Sequence, residues 1–413
     1  MGNFEYSNIG AVVIGAGTIG SATAWHLAKN GVKNVILIDR NQVGTGNTSK
    51  AASLMTSVRT KEAMVPLIKE TYRNIKEIEA KTGEFVGKKT VGTLHVASSE
   101  ATVKGMDAIG AIADRHNISH RFCTIDELKT KLPWFDADQA LKVMYFEEDS
   151  FVDAYVLAKV FADAAKKEGA TLLQNTEVLE ILQEKGEIIG VKTDKGNLET
   201  SIVVDAAGAW ANQLSLQVNV PIPMAPVRSI YWITEKNETL FPKEQPMVSL
   251  PDAMAYSRPE AGGLLFGLRE DNSPHFHPNE LDKNPHSDFL GNPEDQWDII
   301  MEHGKDFASF FLGFEDMGIE NCITGISTYT PDGYYSFGKA VGMEGFYVAA
   351  GCAGAGVAGA GGIGRMISEM ILEKELFADP IPFRIDRFDD FDPMSESFRQ
   401  RCADARSKKK DGG

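Results

Sequence analysis

Residues 11–20 read Ala-Val-Val-Ile-Gly-Ala-Gly-Thr-Ile-Gly, a short apolar run that passes directly into three spaced glycines. The run Ala11–Ile14 is rich in β-branched residues, which is typical of a buried parallel strand. Residues 21–29 then carry apolar side chains at helical spacing, and a second apolar run, Val35–Ile38, follows and ends at Asp39. The stretch therefore predicts a strand–turn–helix–strand unit at the start of a parallel sheet.

Each glycine of this unit has a physical task. Gly15 permits the tight turn, Gly17 lets the backbone approach a ligand pyrophosphate, and Gly20 lets helix and strand pack closely. The helix N-terminus offers unpaired N–H groups and a partial positive charge to phosphates. Asp39, at the end of the second strand, is placed to accept hydrogen bonds from a ribose diol. The context predicts a Rossmann-like dinucleotide-binding domain and an α/β fold class.

Bulk composition limits the partners of the chain. Its 413 residues, 43% hydrophobic and 24% charged, are enough for two domains with separate cores. A formal net charge of -16 disfavours nucleic acid and anionic membranes as partners. The four cysteines contain no C-x-x-C pair, so we expect no metal site and a cytoplasmic, reducing environment. No signal-peptide pattern and no apolar run of about 20 residues is visible.

Three later segments have small residues that would let the backbone lie against a cofactor. A polar, glycine-punctuated loop follows at 40–53, a strand enters the small residues 206–211, and another strand opens into the glycine-rich stretch 351–364. A helix expected from Arg365 would direct a second dipole at the cofactor, although these glycines could instead serve close helix–sheet packing. The predicted cofactor-contacting residues are Gly15, Gly17, Thr18, Ile19, Gly20, Asp39, Arg40, Gly46, Asn47, Thr48, Ser49, Lys50, Ala51, Ala52, Val178, Ala207, Gly208, Trp210, Gly351, Gly354, Ala355, Gly356, Val357 and Ala358.

On these motifs the chain resembles the D-amino-acid oxidase/sarcosine oxidase superfamily, including its glycine-oxidase-like and dimethylglycine-dehydrogenase-like members. The resemblance covers nearly the whole length and rests on residues 13–20, 205–210, 330–333 and 345–351. It implies FAD as the cofactor and oxidation of a C–N bond by hydride transfer to flavin N5. It also implies an FAD-binding domain interleaved with an α+β substrate domain that is built on a mostly antiparallel sheet.

The implied domain plan is discontinuous. The expected segments are 1–90, 150–220 and 322–380 for FAD binding, 91–149 and 221–321 for substrate binding, and 381–413 for a C-terminal extension with a disordered basic tail. Residues 272–292 are rich in Pro, Asn, His and Asp, which predicts a long surface loop or lid. We expect His275 and His277 in this loop to be solvated rather than metal ligands.

Compared position by position, the resemblance implies non-covalent FAD. Relatives with a linking His carry it where this chain has Lys50, and relatives with a linking Cys carry it where this chain has Gly325. The oxygen-activating Lys of monomeric sarcosine oxidases matches Leu265, and their carboxylate-clamping turn matches 354–358, which has neither His nor Lys. These departures favour a dehydrogenase, or a substrate with a different anchor, over an oxidase of sarcosine.

Candidate substrate anchors remain. Arg258 precedes a strand that should face the flavin, and a guanidinium fork suits a carboxylate, with a surface ion pair as the alternative. Tyr231 and Trp232 alternate on a strand, so one should face the pocket and the other the core. Arg59 and Arg228 are further candidates for the same role. The predicted catalytic residues are Arg258, Tyr231, Tyr256 and Arg59.

The prediction from sequence is an FAD-dependent oxidoreductase for a small amine, N-methyl amino acid or D-amino acid. Two alternatives stay open, namely an FAD-dependent 2-hydroxy-acid dehydrogenase and the flavin subunit of a hetero-oligomeric amine dehydrogenase or oxidase. The expected partners are a small-molecule substrate and either a second copy of the chain or a partner subunit.

Overall fold

The fold is described from a computed structural model, which places residues 8–284 and 293–408. In chain order the strands are β1 (Ala11–Ile14), β2 (Val35–Ile38), β3 (Leu54–Met55), β4 (Lys89–Thr90), β5 (Thr93–Ala97), β6 (Arg121–Phe122), β7 (Lys142–Phe146), β8 (Ser150–Phe151), β9 (Thr171–Leu173), β10 (Val178–Glu184), β11 (Glu187–Thr193), β12 (Gly196–Glu199), β13 (Val203–Asp205), β14 (Ala225–Thr234), β15 (Met247–Leu250), β16 (Ala255–Glu260), β17 (Gly263–Leu268), β18 (Ile319–Tyr329), β19 (Ser336–Lys339) and β20 (Phe346–Ala350). The helices are α1 (Thr18–Lys29), α2 (Val65–Thr82), α3 (Glu100–Arg115), α4 (Ile125–Lys131), α5 (Ala154–Lys167), α6 (Ala211–Ser215), α7 (Pro293–Ala308), α8 (Gly356–Ile371) and α9 (Glu396–Ser407).

A six-stranded sheet in the order β19-β20-β13-β1-β2-β9 forms the first layer. Its neighbours pair in parallel except β19 and β20, and Val13 of β1 pairs with Leu37 of β2 and Val204 of β13. Val13 and Leu37 face a core shared with α1, α5 and α8, whereas Val12 and Ile14 face a second core shared with β10 and β11. The α/β class and the Rossmann-like start are thereby confirmed.

An eight-stranded sheet in the order β18-β14-β17-β16-β15-β5-β7-β6 forms the other main layer. Only β15 and β5 pair in parallel within it, so the expected mostly antiparallel sheet is confirmed. Trp232 and Phe266 stack in its core with ring centroids 5.6 Å apart, and Phe307 of α7 packs on Phe266. Two small sheets, β10-β11-β12 and β3-β8-β4, complete the described part of the chain.

The two large sheets draw on alternating segments of the chain. The parallel sheet takes strands from 11–38, 171–205 and 336–350, and the antiparallel sheet takes strands from 93–146 and 225–329. The strand β18 runs across the domain boundary predicted at 321/322. It pairs with β14 along nearly its whole length, so all of β18 belongs to the antiparallel sheet. The division into an FAD-binding and a substrate-binding domain stays a prediction.

The glycine-rich stretch after β20 is mostly helix. A turn was predicted as far as residue 364, but α8 begins at Gly356. A Cβ added at Gly362 would lie 2.4 Å from the Cα atom of Leu67 in α2, and one at Gly364 would lie 2.8 Å from the backbone of Ala22 in α1. These glycines therefore allow three helices to pack closely, which outweighs the low helix propensity of glycine.

The predicted C-terminal extension contains α9, an ordered helix. Ser395 caps its N-terminus, and Phe398 and Cys402 pack in one core with Ala225 and Val227 of β14. The basic end of the tail, 409–413, and residues 285–292 of the predicted lid lie outside the described residues. Across the described ranges, no helix combines the length and apolar character that a membrane span requires.

Candidate cofactor and substrate cavity

A large cavity lies at the carboxyl ends of β1, β2, β13 and β20 and extends beneath β14, β16 and β18. Its wall contains every predicted cofactor-contacting residue except Ser49. The Ser49 hydroxyl donates instead to the carbonyl oxygens of Thr45 and Gly46, within the loop itself. The cavity thus joins segments that lie far apart in the sequence.

The glycine turn after β1 leaves no room for side chains. Gly15 has φ +99°, and a Cβ added there would lie 2.5 Å from the Ala206 carbonyl oxygen. A Cβ added at Gly20 would lie 1.9 Å from the Gly15 carbonyl oxygen, so α1 is pressed directly against the turn. Gly17 caps α1 without a side-chain hydrogen bond, which leaves the N-terminus of the helix facing the cavity.

One end of the cavity is polar and contains a cation–π pair in its wall. The Asp39 carboxylate accepts hydrogen bonds from the backbone N–H groups of Ala16 (2.7 Å) and Asn41 (2.8 Å), and burial raises its pKa. The Arg40 guanidinium lies 4.5 Å from the centre of the Trp210 ring. The Asp39 oxygens keep further lone pairs that a ribose diol could use.

The opposite end of the cavity is lined by tyrosines and arginines. Tyr231, Tyr256 and Tyr329 contribute to the wall, together with Arg269 and Arg406. Burial raises the pKa of Tyr231 and of Tyr256, so both phenols stay protonated and can donate hydrogen bonds. This end can therefore bind and orient a small polar molecule through hydrogen bonds.

Comparison with known proteins shows which cofactor this kind of protein uses. The profile of the family described as FAD dependent oxidoreductase matches residues 11–370. The chain belongs to this FAD-dependent oxidoreductase family. Two glycine turns and two helix N-termini without side-chain caps, at Gly17 and Ala355, fit the phosphates and ring of FAD.

Several characterised proteins are similar to this member of the family. Human mitochondrial sarcosine dehydrogenase is 27% identical over 388 residues, which are 92% of this chain but 42% of that protein, so the chain spans less than half of that relative. Glycine oxidase of Bacillus subtilis (strain 168) is 26% identical, with 91% of this chain and 97% of that protein covered. The crystal structure of L-proline dehydrogenase from P. horikoshii matches with a TM-score of 0.78, 26% identity, and coverage of 89% of this chain and 95% of that chain.

The structure does not bring the predicted arginines into the FAD cavity. The Arg258 Nε donates to the Ala52 carbonyl oxygen (2.7 Å), and its guanidinium forms an ion pair with Glu260 and lies over the Phe151 ring. Arg228 forms an ion pair with Glu270. Arg59 lies in the wall of a neighbouring cavity that shares Tyr329 with the first one. Arg258 therefore supports the loop 40–53 through its hydrogen bond to Ala52 and lies outside the cavity wall.

The structure places both predicted tyrosines, Tyr231 and Tyr256, in the cavity wall. Tyr231 faces the cavity and Trp232 faces the core, so the two side chains point to opposite faces of β14 as predicted. Tyr256 lines the cavity from β16, where a Cβ added at Gly267 would lie 2.4 Å from its hydroxyl oxygen. The close approach of β17 to the Tyr256 ring therefore depends on that glycine.

Sequence reasoning missed Cys352, Arg269 and Arg406 as parts of the cavity wall. Burial alone would raise the pKa of the Cys352 thiol, but hydrogen bonds from Ser327, Thr328 and the backbone of Gly354 lower it below its usual value. No local motif marks Arg406, although Ser395 and the helix that follows it could have been recognised as an ordered element.

A buried carboxyl group supports the wall from behind. Asp205 ends β13, its Oδ1 accepts a hydrogen bond from the Ala207 N–H (3.0 Å), and its Oδ2 has no partner among the described residues. Burial raises the pKa of Asp205 from 3.8 to about 7. The folded protein therefore holds this proton more tightly than the unfolded chain, and the contribution of Asp205 to stability falls as the pH rises from 3.8 to about 7.

Substitution Asp205→Asn should remove this pH dependence, because the amide carries no charge. The variant should match wild type below pH 3.8 and should gain up to about 4 kcal/mol of unfolding free energy above pH 7. Urea denaturation of both proteins at the two ends of this range measures the difference. A difference that stays constant with pH would contradict the assignment.

Proposed function

We propose that this protein uses FAD to oxidise the C–N bond of a small amine or amino acid, of the N-methyl or D-amino-acid type. The observation that carries the proposal is one cavity that joins the dinucleotide turn after β1 to a polar end with Tyr231, Tyr256 and Arg406. Relatives named sarcosine dehydrogenase, dimethylglycine dehydrogenase and glycine oxidase support this substrate class. The solved L-proline dehydrogenase, named for a cyclic L-amino acid, supports only the broader class of amino acids. None of these names favours a 2-hydroxy acid as substrate.

The residues of this chain would divide the work. FAD, when bound, supplies the hydride acceptor. The N-termini of α1 and α8 stabilise its negative charges, and Asp39 binds the ribose. The protonated phenols of Tyr231 and Tyr256 orient the substrate and hold its reacting carbon near the ring. In this proposal, the predicted cofactor-contacting residues that line the cavity contact FAD. Ser49 instead stabilises the loop through its hydrogen bonds to Thr45 and Gly46.

Non-covalent attachment of FAD is part of the proposal. Lys50 cannot provide the linking imidazole, and a Cβ at Gly325 would lie 2.8 Å from both the Asn47 Oδ1 and the Lys50 Cβ. The loop side chains would therefore have to shift to admit a bulkier residue at that position. Acid precipitation should leave the yellow flavin in the supernatant, whereas colour in the pellet would indicate a covalent link, for which Cys352 lies in the wall.

The cellular location and the assembly of the protein are also proposals. A cytoplasmic protein fits the four free cysteines of the chain. A second copy of the chain or a partner subunit remains part of the proposal, since the long relatives carry sequence beyond the region that this chain matches. Segments 1–90, 150–220 and 322–380 would form the FAD-binding domain, and 91–149 and 221–321 the substrate-binding domain.

Anaerobic reduction of the flavin tests the proposed reaction. The holoenzyme is mixed without oxygen with N-methyl amino acids, D-amino acids, simple amines and matched 2-hydroxy acids. We expect bleaching of the flavin by one or more amines or amino acids and no bleaching by the hydroxy acids. Reduction by hydroxy acids alone would establish the alternative dehydrogenase, and reduction that needs an added partner protein would establish the subunit alternative.

A further inference from the structure

We propose that Arg406, on the C-terminal helix α9, anchors the substrate by binding a carboxylate group. The inference rests on the proposed function and adds to it that the substrate is an amino acid rather than a simple amine. The family match ends at residue 370, whereas α9 spans Glu396–Ser407, so the anchor comes from a part of the chain beyond the matched region.

The guanidinium of Arg406 is buried yet retains donors for a ligand. Arg406 is 3% exposed and lines the cavity. Its Nη1 donates to the Ser273 Oγ (2.6 Å) and to the Glu270 Oε2 (3.2 Å). Among the described residues these two are the hydrogen bonds of the Arg406 side chain. The edge formed by its Nε–H and Nη2–H groups therefore remains available to a ligand. That edge has the two parallel donors that bind a carboxylate in bidentate fashion.

A rigid frame fixes this guanidinium before any ligand arrives. Glu270 also forms an ion pair with Arg228, so the carboxylate sits between two arginines. Ser273 accepts from Arg406, and its backbone N–H donates to the Ser407 Oγ at 3.1 Å. Because α9 is packed on β14, the position of Arg406 costs little further ordering when a substrate binds.

The charge around Arg406 favours an anion, because the one carboxylate of the described residues that contacts it, that of Glu270, is shared with a second arginine, Arg228. The acidic residues in the described cavity wall are Asp39 and Glu177, both beside the nucleotide end. At the opposite end Arg269 and Arg406 lie close enough to Tyr256 to lower its pKa against the effect of burial. A carboxylate there would meet positive potential and a protonated phenol, and its amine would be directed along the wall.

The test compares binding of acetate and of acetamide, its neutral isostere, to the holoenzyme through changes in the flavin absorption spectrum. Wild type should bind acetate at least about tenfold more tightly than acetamide. Arg406→Gln should raise the acetate dissociation constant about 100-fold and change the acetamide value little. Arg406→Lys, which keeps the charge and loses the fork, should recover part of the acetate binding.

A matched control is Arg401→Gln, which removes an exposed arginine from the same helix outside the FAD cavity and should leave acetate binding unchanged. Equal acetate binding by Arg406→Gln and wild type would overturn the anchor. If Arg406→Gln does not retain FAD, the wild-type comparison decides, and equal affinity for acetate and acetamide would overturn it. With an amino-acid substrate the variant should raise KM and leave kcat less affected, whereas a matched amine without a carboxylate should be unaffected.

The outcomes separate the inference from the proposed function. If amines bleach the flavin and acetate binding ignores Arg406, the function stands and the anchor fails. If acetate binding depends on Arg406 but no amine or amino acid bleaches the flavin, the anion site is supported and the proposed reaction fails.

Discussion

Gly20→Ala is expected to yield a protein that no longer retains FAD. A Cβ at residue 20 would lie 1.9 Å from the Gly15 carbonyl oxygen and 3.2 Å from the Ala206 Cβ, and neither is the end of a flexible side chain. Either α1 moves away from the turn or the turn itself deforms, and both changes displace the N-terminus that faces the phosphates. We expect an at least 100-fold weaker FAD affinity and a loss of about 3 kcal/mol in unfolding free energy.

Gly105→Ala is the matched control for this experiment. Gly105 lies inside α3, and a Cβ added there meets no atom within 4 Å beyond the adjoining backbone of its own helix. The substitution should stabilise the helix by up to about 1 kcal/mol and leave FAD binding unchanged. Titration of each apoprotein with FAD, with thermal unfolding alongside, gives both quantities. Tight FAD binding by Gly20→Ala would show that the turn is not the phosphate site.

The cofactor half of the cavity could be predicted because its signals are local. Strand β1, the turn, α1 and Asp39 lie within thirty residues, and the spacing of glycines directly encodes where the backbone must approach a ligand. The alternation along β14 likewise predicted that Tyr231 and Trp232 face opposite ways, and in the structure Tyr231 faces the cavity and Trp232 the core. In each case one element fixes which side chains point the same way.

The substrate half could not be predicted because it is assembled from distant elements. Arg258 looked like an anchor from its place before a flavin-facing strand, but the carbonyl of Ala52, more than 200 residues earlier, accepts its Nε–H. Arg406 reaches the cavity only because Glu270 and Ser273 meet α9, and nothing in the sequence around residue 406 records that contact. Similarly, the glycines of α8 predicted a turn, because the packing of α1 and α2 against them is not visible in the sequence.

Glu270→Ala should cause the largest loss of stability. The Glu270 carboxylate is buried between Arg228 and Arg406, whose side chains are themselves about one-tenth exposed or less. Its removal takes away the carboxylate that both guanidinium groups contact, and breaking a buried ion pair on one side typically costs about 3–5 kcal/mol. Urea denaturation of holoenzyme at neutral pH measures this loss directly.

Asp138→Ala provides the control for Glu270→Ala, because Asp138 pairs with Lys129 at 2.8 Å on the surface, with side chains 79% and 52% exposed. Its loss should cost less than about 1 kcal/mol, since solvent screens an exposed pair. A similarly small cost for Glu270→Ala would show that the arginines need no buried carboxylate. If the large cost is found, acetate affinity should fall in the same variant, because the Nη1 of Arg406 would lose one of its two hydrogen-bond partners and the fork would no longer be held toward the cavity.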